Sequence, residues 1–175
     1  MKSLKTLSVV VFVAIFAAGA LAQTSKPLAV VKSFYAFDRM KSQTFSRQAI
    51  EARRPWFSKE LYELFLYELK REAIYLKKNP TDKPYFGDGL PFRPIDETCK
   101  AGRRSLHKDV TFKFETGNGQ FATVQAIFAF PAPCKEPDTT IYKINLVNAK
   151  AGWQIDDVLY EDNHALKTDL KRKDY

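Results

Sequence analysis

An α+β protein is the fold class this sequence predicts: two or three N-terminal helices packed on one face of a curved four-stranded antiparallel sheet. Three observations carry the expectation. Residues 139–162, TTIYKINLVNAKAGWQIDDVLYED, read as two strands folded back on each other. In the first of them Tyr142, Ile144 and Leu146 alternate with Ile141, Lys143 and Asn145, the period-2 pattern of a half-buried strand. Two earlier runs, 109–116 and 120–130, alternate in the same way on either side of Gly117-Asn118-Gly119, a strong hairpin turn. Upstream of residue 80, apolar residues recur at helical spacing instead.

The first 22 residues stand apart from that fold. Lys2 and Lys5 form a short positive region, 7–18 is an apolar run interrupted only by Ser8, and Ala20-Leu21-Ala22 puts small residues around a signal-peptidase cut. The run is too short to cross ~30 Å of hydrocarbon comfortably, and polar Gln23 and Thr24 follow at once. The expected organisation is a cleaved signal peptide over 1–22, a single domain over 23–162 and a polar tail over 163–175. The protein is then exported, periplasmic or secreted, with no stable membrane insertion after cleavage. The cut leaves 153 of 175 residues, enough for one domain with a core of its own.

Lys2 and Lys5 leave with the leader, so 28 basic side chains against 20 acidic become 26 against 20, a net charge of +6. That balance suits an anionic ligand or envelope protein as partner, while export puts nucleic acid out of reach. Cys99 and Cys134 are the only cysteines. In an oxidising compartment they predict one structural disulfide, and a spacing of 35 residues without a CxxC motif argues against a redox or metal pair.

Taken in order, the first helix begins with Ser25 as N-cap and Pro27 in its first turn, carries Leu28, Val31, Phe34, Tyr35 and Phe37 on an oily face, and ends near 40–42. Residues 43–55 are irregular, with a helical turn over 49–53. Ser58 caps the second helix and Glu60 suits its first turn. Leu61, Leu64, Phe65, Leu69 and Ala73 form its apolar stripe, with Glu63, Glu68, Lys70, Arg71 and Glu72 outside. Lys77 and Lys78 suit its end, and Asn79-Pro80 stops it.

Residues 79–107 hold Pro80, Pro84, Pro91, Pro94, Gly87 and Gly89, which exclude a long helix or a central strand. Tyr85, Phe86, Leu90, Phe92 and Ile95 make the segment too apolar to stay loose, so it is expected to pack down. In the sheet, Val110, Phe112, Phe114, Ala122, Val124, Ala126, Phe128, Phe130, Tyr142, Ile144, Leu146, Trp153 and Ile155 share the apolar face. Asp156-Asp157 interrupts the last strand, and a bulge there lets Val158 and Tyr160 resume the pattern. The tail 163–175 reads as a frayed helix or a disordered end.

Phe34-Tyr35, Trp56-Phe57-Ser58, Asp88 and the closing run from Gly152-Trp153 to Tyr160 carry a resemblance over most of 27–162. The chain resembles an exported bacterial family of uncharacterised function, within the cone-shaped α+β superfamily of nuclear transport factor two and the cystatin-like folds. The resemblance implies fold and compartment, and it carries over no catalytic residue.

The chemistry-bearing residues point to binding before catalysis. A concavity between the bent sheet and the loop 84–96, lined by Tyr85, Asp88, Arg93, Tyr142 and Trp153, is the expected ligand site: apolar walls with a few polar groups. A second candidate, for anionic partners, is the basic cluster Lys100, Arg103, Arg104 and Lys108. His107 with Asp109, or Asp88 with His107, is the acid–base alternative that a small hydrolase or isomerase needs. His164 sits in the weak tail. Asp156 and Asp157 are neighbours on a strand and face opposite sides, so they make no dyad. No nucleophile motif, phosphate loop or metal spacing is present, so no cofactor is expected. The leading expectation is a non-enzymatic ligand- or protein-binding module.

Overall fold

The computed structural model describes residues 26–94, 110–129 and 139–173. The expected leader 1–22, the Ser25 cap, Phe130, the Cys99–Cys134 bridge, His107 with Asp109 and the basic cluster over 100–108 lie outside the described residues.

Helix α1 covers 26–38 and buries Val31, Phe34, Tyr35 and Asp38, a stripe at helical spacing. Helix α2, Arg47–Arg53, is capped by Ser46, whose hydroxyl accepts from the Ala49 N–H at 3.3 Å. A 3₁₀ turn, Arg54–Trp56, leads into α3, Lys59–Lys78. Ser58 caps α3 as expected, its hydroxyl accepting from the Leu61 N–H at 3.1 Å.

The inward face of α3 differs from the expected one. Leu61, Phe65, Glu68 and Glu72 are buried, Leu64 and Leu69 are half-buried, and Ala73 is exposed. Two glutamates placed outside by sequence pattern therefore face the interior. They do so because the interior supplies their partners. Glu68 takes hydrogen bonds from Arg71 and from Arg172 Nη2 (2.6 Å), and Glu72 accepts the Phe86 N–H at 3.0 Å.

Four strands follow as a meander: β1 (Val110–Gly117), β2 (Phe121–Ala129), β3 (Thr139–Ala149) and β4 (Gly152–Leu159), paired in chain order. The register lays Phe112, Ala126 and Tyr142 side by side, then Val124, Ile144 and Val158, then Ala122, Leu146 and Ile155. These are the apolar rows that the alternation demands, and the helices cover them. The two-residue turn after Ala149 ends at Gly152, whose φ of +100° suits glycine. Register shifts at Glu115 and at Asp156 mark bulges, the second where the sequence places one. Beyond β4, Phe57 bridges Ile155 and Ala165 bridges Leu159, so other parts of the chain occupy that edge of the sheet.

The core is built on rings. Phe34, Phe57, Phe65 and Phe92 pack with centroids 5.0–5.9 Å apart. Phe92 is fully buried although it lies in the Pro-rich segment, so that segment packs down as expected. The tail does not fray. Leu166–Lys171 forms a helix, α4, with Leu166 and Leu170 wholly buried between α3 and β4. Two leucines four apart present one apolar face, and the bulge supplies its anchor. Asp156 pairs with Lys167 Nζ at 2.7 Å, while Asp157 Oδ1 accepts the Lys167 N–H at 3.0 Å and the Val158 N–H at 2.8 Å. Among the described residues no helix is long and apolar enough to cross a membrane.

Candidate functional site

The Pro-rich segment is pinned to the helices before it reaches the sheet. The Leu90 N–H donates to the Gln43 carbonyl at 2.7 Å, and the Tyr35 hydroxyl donates to the Phe92 carbonyl at 2.9 Å. Gly89 has φ +128°, and a Cβ there would come within 2.8 Å of the Gln43 carbonyl oxygen. Glycine at this position lets the two backbones touch. So held, the segment leans over the Tyr142 end of the sheet and leaves a cavity of about 400 Å³.

Four of the five expected residues line that cavity: Tyr85, Asp88, Arg93 and Tyr142. Trp153 does not. It pairs with Asn148 beside the β3–β4 turn, six residues along β3 from Tyr142, which is about 20 Å at ~3.3 Å per residue. Both residues point to the same face of the sheet, and sequence pattern says nothing of which end the loop covers. Tyr160 takes the place assigned to Trp153, its ring edge-on to Tyr142 at 5.1 Å.

The polar groups of the wall are fixed from behind. Asp38 is buried and receives Arg93 Nε on one oxygen at 2.6 Å and Arg53 Nε on the other at 2.7 Å. Arg53, equally buried, also donates to the carbonyls of Ala49 (2.9 Å) and Ser42 (3.0 Å). This network ties the loop to α1 and α2 and sets the direction of Arg93. Asp88, on the exposed side, pairs with Lys83.

The three phenols stay neutral across ordinary pH. Burial pushes Tyr142 up to about 12, with Glu161 adding to it. Burial and the hydrogen bond to Asp169 push Tyr85 up to about 12, and burial raises Tyr160 further. They are therefore hydrogen-bonding groups on apolar bodies and not phenolate bases. Tyr85 donates to Asp169 at 2.7 Å, and Tyr160 has a long contact of 3.5 Å to the Pro91 carbonyl. The Tyr142 hydroxyl has no hydrogen-bond partner among the described residues.

Sequence reasoning passed over His164 and Asp169 because it placed both in a loose tail. His164 Nε2 lies 2.7 Å from the same Asp169 oxygen that Tyr85 engages, and its ring lies 21° from parallel to that of Tyr160. The recurrence of Leu166 and Leu170 was the available signal that this stretch folds.

Asp156 and Asp157 are taken up in docking α4, as described above. No cluster of three or more metal-ligating side chains occurs among the described residues. A wider groove of about 720 Å³ lies between the start of α3 and the β3–β4 turn. Tyr62 of its wall donates to Glu51 at 2.7 Å and Arg54 lies over the Tyr62 ring, and the groove gathers none of the expected residues.

Fold and site together define an α+β protein with a tyrosine-walled cavity at one end of its sheet. Comparison with known proteins adds no relative: no family model matches the chain, and neither a curated protein nor a solved structure matches it significantly.

Proposed function

We propose that this protein is a non-enzymatic binding module that takes a small organic ligand in the cavity walled by Tyr85, Tyr142 and Tyr160. One observation carries the reading: three neutral phenol-bearing rings converge on about 400 Å³, inside the ~300–1,000 Å³ typical of small-molecule sites. The rings offer flat apolar surface. The Tyr142 hydroxyl can donate to an acceptor on the ligand, and Arg93 favours an anionic group beside it. An aromatic carboxylate has both properties. The acid–base alternative gains no support here, because Asp88 is engaged by Lys83 on the exposed side of the loop.

The compartment and the family likeness belong to the same proposal. An exported chain with a cleaved leader and a Cys99–Cys134 bridge, in the manner of cone-shaped exported bacterial proteins, has use for a binder that is stable outside the cell. Intact-mass measurement after periplasmic expression reads both: loss of residues 1–22 and two fewer hydrogens than the reduced chain.

Saturation-transfer NMR against a library of aromatic carboxylates tests the binding itself, with wild type and Tyr142→Ala side by side. The proposal expects ligands that bind wild type and lose about tenfold or more in the variant, roughly 1.4 kcal/mol. An absence of binders, or binders indifferent to Tyr142→Ala, overturns it.

A further inference from the structure

The cavity wall and the C-terminal helix meet at one atom. Asp169 Oδ1, on α4, lies 2.7 Å from the Tyr85 hydroxyl and 2.7 Å from His164 Nε2. Tyr85 lines the cavity and is itself 51% exposed, and the His164 side chain is 42% exposed and in reach of solvent protons. A second contact joins the same partners, since the His164 ring lies over that of Tyr160, which also lines the cavity.

We propose that His164 is a positioning residue of the cavity: the proton it carries sets how firmly Asp169 holds Tyr85, and so the shape of the cavity wall. The inference rests on reading that cavity as the ligand site, and it names the regulation of the site.

The physical argument is competition for one oxygen. When His164 is cationic, a charge-assisted hydrogen bond draws on the carboxylate, and the phenol has a weaker acceptor. When His164 loses its proton, the charge on Asp169 is no longer offset from that side, and the bond from Tyr85 strengthens. The groups around the switch are few. Asp162 faces His164 from its own turn, Asp169 from α4, Tyr160 from the end of β4 and Tyr85 from the Pro-rich segment. Behind them the Arg172 guanidinium lies over the Tyr85 ring at 3.7 Å and donates to Glu68 of α3, and Arg71 of α3 donates to Glu68 and reaches the Asp169 carbonyl at 3.5 Å. The hydrogen bond to Asp169, and after it the negative charges of Asp169 and Asp162, hold the imidazole above its ordinary range.

NMR of the full chain with ¹³C-labelled tyrosine and histidine, titrated from about pH 5 to 9, reads the coupling without any ligand. The Tyr85 resonances are identified by their loss in Tyr85→Phe, and those of His164 by their loss in His164→Gln, a change at an exposed side chain. Three results are expected. Tyr85 moves with the same midpoint as His164, above ~6.5. That movement vanishes in His164→Gln, and in Tyr85→Phe the His164 midpoint rises because Asp169 then serves one donor. Tyr85 resonances that stay flat while His164 titrates, or that keep their pH response in His164→Gln, overturn the inference. The two proposals fail separately: a cavity that binds nothing leaves the coupling intact, and a bound ligand with a flat Tyr85 removes only the coupling.

Discussion

Asp38 joins α1, α2 and the Pro-rich segment through one buried carboxylate. It is a carboxylate out of water with two guanidinium groups on its oxygens, one of them as buried as itself. Removing it leaves Arg53 charged in the interior, and the loss of one partner of a buried ion pair costs about 3–5 kcal/mol. Asp38→Ala is therefore expected to lower the urea midpoint by that equivalent, read at an unchanged slope. A loss under ~1 kcal/mol would show that Arg53 finds water or another acceptor. His164 gives the opposite case, an exposed residue whose effect lies in pH. Its pKa is raised in the folded state, so the stability it adds is fully present below the unfolded value of ~6.5. That contribution disappears as pH rises through the folded value. The stability difference between wild type and His164→Gln should thus shrink as pH rises above ~6.5, in paired denaturation curves. A difference that grows over that window contradicts the assignment.

At the scale of elements, α4 decides how far the sequence could be read. Caps, turns and strand alternation were legible because each is a local signal: Ser58 before α3, Gly152 after Ala149, and the double aspartate that breaks β4. The inward turn of Glu68 and Glu72 was not. It depends on Arg172 and on the Phe86 N–H, which are remote along the chain and brought in by packing. The docking of the helical tail was not legible for the same reason, since its two leucines gain a place only against α3 and β4 together. Which force docks α4 is a question of magnitude. Glu60 is held down to about 2 by hydrogen bonds from Lys167 and Lys171. That group's stabilisation is present above the ordinary carboxylate range and fades as pH falls toward 2. Yet Glu60 is half exposed, and an ion pair of that kind is worth under ~1 kcal/mol. Leu166 and Leu170 are wholly buried, and truncating either to alanine costs about 2–5 kcal/mol. Leu166→Ala and Leu170→Ala should each outweigh Glu60→Gln in the same unfolding assay, and the reverse order would assign the docking to charge.

For the molecule as a whole, the sheet has one apolar face, the helices cover it, and the Pro-rich segment closes one end. That plan was visible in the sequence, and four of the five residues expected at the cavity do line it, because an apolar loop rich in proline must pack somewhere near the strands it precedes. The end it would choose was not visible. Trp153 and Tyr160 alternate onto the same face of β4, and only the long-range contacts of the loop with Tyr35, Gln43 and Glu72 select the end that holds Tyr160. Those contacts also make the cavity: they bring Tyr85 of the loop to the Tyr142–Tyr160 pair that the sheet already sets together. The most direct measurement is a crystal structure of the protein soaked with aromatic carboxylate fragments. Density between Tyr85, Tyr142 and Tyr160, within hydrogen-bond reach of the Tyr142 hydroxyl, is the result expected. Fragments that gather elsewhere while this space holds only solvent would contradict the account.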